Sequence, residues 1–225
     1  MIHSDAVEDY LKAIYVLQEK DGLAKTGALA RQLGITAGSV TEMIKRMAGT
    51  SPRMITYRQH HGVTLTDRGR QAAIAIIRRH RLLETFLQQV LGLGWEAVHE
   101  EAETLEHHLS ERLINAIDRH LAYPRFDPHG EPIPDPSGHM SPPAGEPLTT
   151  FDDHTAFRIV RVDPSIDGML DYLDELKIGL GTAGILVCHA PFGGPITLRV
   201  TNGDSDRETA IGREIAGRIY VEPAQ

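Results

Sequence analysis

The chain has 225 residues, 41% of them hydrophobic and 24% charged, and a formal net charge of −8. This is globular composition, which excludes a disordered or collagen-like chain, and the longest apolar run, Ala72 to Ile77, excludes a membrane helix of about 20 residues. A single cysteine, Cys188, excludes an internal disulfide framework or a thiolate cluster for zinc within one chain, so any metal falls to His and carboxylate ligands.

Taken in chain order, Ala6, Tyr10, Ala13, Ile14 and Leu17 recur at spacings of three and four, which predicts an amphipathic helix capped by Ser4 or Asp5 and stopped by Gly22. A second helix is expected from Thr26 to Leu33, ended by Gly34, and a third from near Thr36, carrying Val40, Ile44 and Met47 inward. Two short helices joined by a Gly-containing turn form a helix-turn-helix. Met54 to Arg58 and Gly62 to Thr66 then read as two strands around a Gln59-His60-His61 turn, which makes the motif winged.

Residues 1–80 carry 12 Lys+Arg against 7 Asp+Glu, net +5, whereas residues 81–225 carry 11 against 24, net −13. A basic region confined to one part of an acidic chain fits a nucleic-acid surface, because phosphate attraction follows the local field. In that reading the third helix enters the major groove of double-stranded DNA with Thr36, Ser39, Thr41, Glu42, Lys45 and Arg46 outward, and Arg53 and Arg58 face phosphates. The alternative for the same fold is a winged helix used for protein contact.

Helical patterns continue from Asp67 to Leu91 and from Trp95 to Leu121. In the second, His99, Glu103, Glu106 and His107 stand at i, i+4, i+7 and i+8, within a sector of about 100 degrees, so they share one helix side. His80 and Glu84 on the preceding helix are again i and i+4. His99 and His107 are about 12 Å apart along a helix axis, too far to share one ion. The economical partition is His80, Glu84 and His99 around one ion and Glu103, Glu106 and His107 around another, with Asp9 of the first helix as the added ligand. The remaining nine histidines, His129 among them, are taken as non-ligands, and a solvated polar helix face is the alternative for the whole set.

The segment Tyr123 to Thr149 holds eight of the thirteen prolines and reads as a linker, since Pro prevents a continuous helix or central strand. Beyond it, β-rich runs such as Ala183 to Ala190 and Ile196 to Thr201 predict a small β domain. The expected fold class is mainly α with a small β domain. The expected division is a winged helix-turn-helix over 1–74, a helical metal-binding and dimerisation domain over 75–140 with the Pro-rich linker 123–149, and a β domain over 150–225.

The chain resembles the diphtheria toxin repressor family of metal-dependent transcriptional regulators, in its three-domain form, over nearly its whole length. The resemblance rests on Glu8-Asp9-Tyr10-Leu11 with Ile14-Tyr15, Gly62-Val63-Thr64-Leu65-Thr66-Asp67-Arg68-Gly69, His80-Arg81-Leu82-Leu83-Glu84, and Val98-His99-Glu100-Glu101-Ala102-Glu103 running into Glu106-His107. The phrase Asp127-Pro128-His129-Gly130-Glu131-Pro132-Ile133-Pro134 fits as well. The resemblance implies an ancillary site from His80, Glu84 and His99, a primary activating site from Asp9, Glu103, Glu106 and His107, and an SH3-like (FeoA-like) rear domain. It also implies a homodimer on a palindromic operator. Iron-responsive members carry Met and Cys where this chain has Asp9 and Glu103, so the hard oxygen set implies Mn²⁺ ahead of Fe²⁺ as cofactor. The two-domain manganese branch has a further Glu where Lys12 stands here. The Glu and Gln that complete the ancillary site in some relatives have no match around Pro164 to Asp167.

These readings converge on a metal-activated repressor of metal-uptake genes, cytoplasmic and without enzymatic activity. The rival class is a metallohydrolase with an open metal position and a Glu base, although His99-Glu100 lacks the second His of the zincin spacing.

Overall fold

The computed structural model describes residues 4–166, 168–202 and 205–224; His3 and Asp167 lie outside them. Helix α1 (Asp5–Asp21) ends where Gly22 enters the left-handed region at φ 77 and donates its N–H to Gln18 O. Helices α2 (Thr26–Gln32) and α3 (Ala37–Ala48) follow, and Thr36 caps α3 by accepting from Ser39 N at 3.2 Å. Strands β1 (Ile55–Arg58) and β2 (Gly62–Leu65) pair antiparallel, with Ile55 opposite Leu65 and Arg58 opposite Gly62. Thr66 joins this wing to the next helix: its hydroxyl donates to Arg53 O and accepts from Gly69 N.

Helices α4 (Asp67–Leu91), α5 (Trp95–Leu105) and α6 (Glu111–His120) complete the helical part. The single helix expected from Trp95 to Leu121 is therefore two. The chain turns at 106–108, with His108 N donating to Leu105 O, and Ser110 starts α6 by accepting from Leu113 N on both its Oγ and its carbonyl. A capping serine competes with helix continuation even where the periodicity runs on.

Two compact units emerge: Met1–His80 with Glu103–Ile114 and Pro134–His139, and Arg81–Ala102 with Asn115–Ile133 and Met140–Gln225. In the first, Leu11 and Ile14 of α1, Leu29 of α2, Val40 and Ile44 of α3, and Ile55 and Val63 of the hairpin are buried. Each such side chain contributes about 1.5–3 kcal/mol of transfer free energy.

The second unit holds a sheet in the order β3-β8-β4-β5-β6-β7, every neighbouring pair antiparallel. Its strands are β3 (Glu146–Pro147), β4 (Ala156–Val162), β5 (Ala183–His189), β6 (Ile196–Asn202), β7 (Ser205–Ile211) and β8 (Ile219–Pro223). Phe157, Ile159, Leu186, Leu198 and Val221 fill its core, and α7 (Met169–Glu175) adds Leu170 and Leu173. The short α8 (Arg213–Ala216) precedes β8.

The Pro-rich segment is not a free linker. Residues 127–130 are buried, because Asp127 Oδ1 accepts from His129 N (2.8 Å) and Glu131 N (2.9 Å) and so folds the chain into a tight turn. The turn seats on β4, where Val162 N donates to His129 O at 2.9 Å. Gly130 sits at φ 82, and a Cβ there would lie 2.2 Å from Val160 O.

Gly130→Ala is therefore expected to destabilise the second unit by about 2–4 kcal/mol, combining strained φ with overpacking. Gly181, with the same φ of 82 but open space around its added Cβ, provides the comparison: Gly181→Ala is expected to cost about 1 kcal/mol. Thermal denaturation in chelator checks both.

Candidate metal centres and nucleic-acid surface

In the first unit the turn after α5 brings Glu106 and His107 to α1. Asp9, Glu106 and His107 each offer a ligand atom, and these lie within 4.8 Å of one another. His107 Nε2 is 3.0 Å from Asp9 Oδ1 and 3.7 Å from Glu106 Oε1, while Nδ1 is 2.9 Å from Glu8 Oε2. His80 Nδ1 is 2.6 Å from Glu106 Oε2. Lys12, one turn along α1 from Asp9, donates to Glu103 Oε1 at 2.7 Å and Glu106 Oε1 at 2.8 Å. Arg79 donates to the Glu106 carbonyl and to Glu8 Oε2.

The electrostatics follow from this crowding. Burial alone would raise the Glu106 carboxyl, but His80 and Lys12 outweigh it and hold it below the usual carboxylate range. Burial opposes the His107 imidazolium, yet Glu8, Glu106 and Asp9 overcome that and push its pKa up. Asp9 is raised, chiefly by burial. Asp9, Glu106 and Nε2 of His107 would hold a divalent ion in competition with a proton on Nε2, and Glu8, beside Nδ1 at 2.9 Å, would fix the ring.

In the second unit, Glu84 of α4, His99 of α5 and His129 of the Asp127 turn form another such group. Glu84 Oε1 is 2.9 Å from His99 Nδ1 and 3.3 Å from His129 Nε2. Glu84 and His129 are each 1% exposed, and neither ring nitrogen of His129 makes a hydrogen bond among the described residues. A buried imidazole left so is what a metal ligand looks like before coordination, so the donor set fits a divalent ion. Trp95 stacks on this ring, centroids 5.6 Å apart, and donates from Nε1 to Pro128 O. Asp127, set beside Glu84, is pushed up to about 6 by burial and that carboxylate, against Arg81 and His129.

Of the residues expected as ligands, Asp9, Glu106 and His107 lie together in one such group, and Glu84 and His99 in the other. His129, expected to be a non-ligand, stands beside Glu84 and His99 in the second group. Its signal lay in the Asp127-Pro128-His129-Gly130-Glu131 phrase, whose Asp folds the turn that buries the ring. Within its own unit His80 meets Glu106, and Glu103 meets Lys12.

On the winged motif, Thr36, Ser39, Glu42, Lys45, Arg46, Arg53 and Arg58 are exposed and Thr41 is half-buried. The Thr36 and Ser39 hydroxyls bond each other, and the Thr41 hydroxyl donates to Ala37 O. The charged positions of α3 are therefore the side chains most open to a partner. A groove of about 710 Å³ beside them is lined by Lys25, Arg31, Lys45, Tyr57, Gln59 and His60.

Three family profiles match the chain: "Iron dependent repressor, N-terminal DNA binding domain" over residues 3–50, "Iron dependent repressor, metal binding and dimerisation domain" over 66–135, and "FeoA domain" over 146–223. The chain is 36% identical over 130 residues to the iron-dependent repressor IdeR of Mycobacterium tuberculosis (strain ATCC 25618 / H37Rv), covering 58% of this chain and 56% of that protein. The match thus spans little more than half of that relative's length. It is also 36% identical over 114 residues to the HTH-type transcriptional regulator MntR of Geobacillus kaustophilus (strain HTA426), covering 51% of this chain and 77% of MntR. Among solved structures, a manganese-dependent transcriptional repressor in complex with manganese superposes with a TM-score of 0.85 at 36% identity, over 97% of this chain and 100% of that one.

A pH dependence follows from Asp127. A carboxyl raised from 3.8 to about 6 on folding contributes stability that is fully present below pH 3.8 and is lost as pH rises through about 6. Asp127→Asn keeps both accepted backbone bonds and removes the titration. In chelator its stability relative to the wild type is expected to grow between pH 4 and 7 by about 2–3 kcal/mol, read from denaturant midpoints at each pH.

Proposed function

Because the chain belongs to the diphtheria toxin repressor family of metal-dependent transcriptional regulators, we propose that it is a metal-activated, DNA-binding repressor of genes for metal-ion uptake and homeostasis. The observation that carries this reading is the Asp9, Glu106 and His107 group, because it couples the first helix of the winged motif to the turn between α5 and α6 inside one unit. An ion held there stabilises that arrangement by its difference in affinity between the bound and open forms, which is all a corepressor has to do. The chain carries out no reaction in this reading.

Mn²⁺ is the corepressor we favour, with Fe²⁺ second. Both groups supply carboxylate oxygen and imidazole nitrogen and no sulfur, which suits a harder ion even though intrinsic affinity rises toward later metals. Asp9, Glu103, Glu106 and His107 serve the activating centre. Glu84 and His99 serve the ancillary one, with His129 added and His80 placed between the two roles by its bond to Glu106.

The partner is double-stranded DNA, bound by a homodimer at a palindromic operator in the cytoplasm. Support for dimerisation comes from the description of the profile over 66–135 and from Val90, Leu91, Tyr123 and Phe126, large apolar side chains exposed on the second unit. Support for DNA comes from the exposed Lys45, Arg46, Arg53 and Arg58. The division into 1–74, 75–140 and 150–225 is likewise our reading, supported by the ranges of the three profiles.

Fluorescence anisotropy on the protein's own upstream DNA, at fixed ionic strength in chelator, Mn²⁺ or anaerobic Fe²⁺, tests the switch. Tight binding only with metal is expected, and equal binding in chelator and metal would sink the reading. Glu103→Ala and His107→Ala are each expected to abolish the metal-dependent gain while leaving the fold intact by circular dichroism. Lys45→Ala is expected to weaken binding across sequences and to lower the salt slope by about 1.

A further inference from the structure

The wing carries two adjacent histidines at its tip, His60 and His61, that neither metal group includes. Both are exposed; His60 takes the left-handed conformation at φ 63, and His61 N donates to Arg58 O at 3.0 Å to close the turn between β1 and β2. The two residues line the groove of about 710 Å³ together with Lys25 and Arg31, at the two ends of α2, and Lys45 of α3. Backbone bonds hold the walls of this groove. Ala24, just before α2, and Val63 of β2 exchange hydrogen bonds at 3.0 and 2.9 Å, so the wing cannot swing away from α2 without losing both.

The groove carries charge of one sign. No carboxylate lines it, and Lys25, Arg31 and Lys45 have no acidic partner among the described residues. Cations gathered around one concavity focus the field there and draw an anion in. Lys45 belongs to α3, so a duplex docked on that helix brings its sugar-phosphate backbone to the same place. The charged and titratable groups around the two histidines are Lys25, Arg31 and Lys45, with Tyr57 and Arg58 of β1. An imidazolium there meets its compensating charge in a bound phosphate. Histidine is the side chain whose charge ordinarily changes between pH 5 and 8, and a phosphate set beside an imidazole favours the charged form.

We propose that the groove between α2, α3 and the wing seats a backbone phosphate of the bound duplex, and that His60 and His61 act there as proton-linked phosphate contacts, so that the metal-loaded regulator binds DNA more tightly as pH falls. The inference rests on the DNA-binding reading above and deepens it. Binding that brings the phosphate to the wing tip takes up protons, and by linkage the complex is favoured where protons are abundant. The direction opposes that of metal loading, in which a proton competes with the ion for His107.

The test is fluorescence anisotropy of the full chain on its own upstream DNA, anaerobically between pH 6 and pH 8, with Mn²⁺ held at saturation and counted at each pH by equilibrium dialysis. Circular dichroism verifies that every variant folds. Relative to the His60→Asn, His61→Gln variant, in which Asn tolerates the left-handed backbone and neither side chain takes up a proton, the wild type is expected to gain on the order of tenfold in affinity from pH 8 to pH 6. Its double-logarithmic salt slope is expected to steepen over the same range by about 0.9 for each imidazolium that meets a phosphate. His60→Lys with His61→Lys is expected to lose the pH-dependent gain and to keep the steeper slope at pH 8. Lys25→Gln with Arg31→Gln is expected to weaken binding across sequences and to reduce the slope by about 2. The same pH response in the wild type and in the His60→Asn, His61→Gln variant would overturn the role of the histidines, and unchanged binding in the Lys25→Gln, Arg31→Gln variant would overturn the groove as the phosphate seat. No DNA binding by the Mn²⁺-saturated wild type at any pH would overturn the DNA-binding reading itself, and the seat with it.

Discussion

Glu106 is a carboxylate withdrawn completely from water, and that is tolerable only where positive charge and hydrogen-bond donors meet it. Two elements of the first unit supply them: α1 through Lys12, and α4 through His80 and, against the Glu106 backbone carbonyl, Arg79. The winged motif is thereby joined to the turn between α5 and α6 by electrostatics. A divalent ion would work within this existing balance. At the site proposed here it would take the place of a proton on His107, between side chains that already lie within 4.8 Å of one another.

The second group is built on a different principle. Its His129 is held by shape: Asp127 folds the turn, Gly130 lets the backbone approach Val160, and Trp95 covers one face of the imidazole. Arg161 of β4 pairs with Glu131 of the same turn and lies 3.3 Å over the Tyr220 ring, so the sheet itself helps fix the loop that carries the ligand. The register of β4 against β8 shifts between Ile159 and Arg161, and beyond the shift Arg161 and Val162 are both buried.

Much of this was legible from residue spacing. The amphipathic stripes of α1, α3 and α4 survive folding because apolar periodicity and capping agree there, and the i, i+4 pairs on α4 and α5 locate Glu84 and His99. The break between α5 and α6 was hidden, since Glu106 and His107 continue the helical spacing and only the hydroxyl of Ser110 favours a new start. His129 was hidden for the opposite reason: proline density marks a segment that forms neither helix nor strand, and says nothing about whether that segment is buried. Lys12 was visible as a departure from a pattern, but its two partners are 91 and 94 residues away in sequence, and only the fold brings them together.

The stacking of Trp95 on His129 has an optical consequence. The chain contains one tryptophan, so its entire indole emission originates beside the second group and at a distance in sequence from Asp9 and His107. Protonation or coordination of the imidazole alters how strongly that ring quenches its neighbour. Intrinsic fluorescence of the unlabelled protein thus reports on the group we propose as ancillary, through the ring stacked on its single indole.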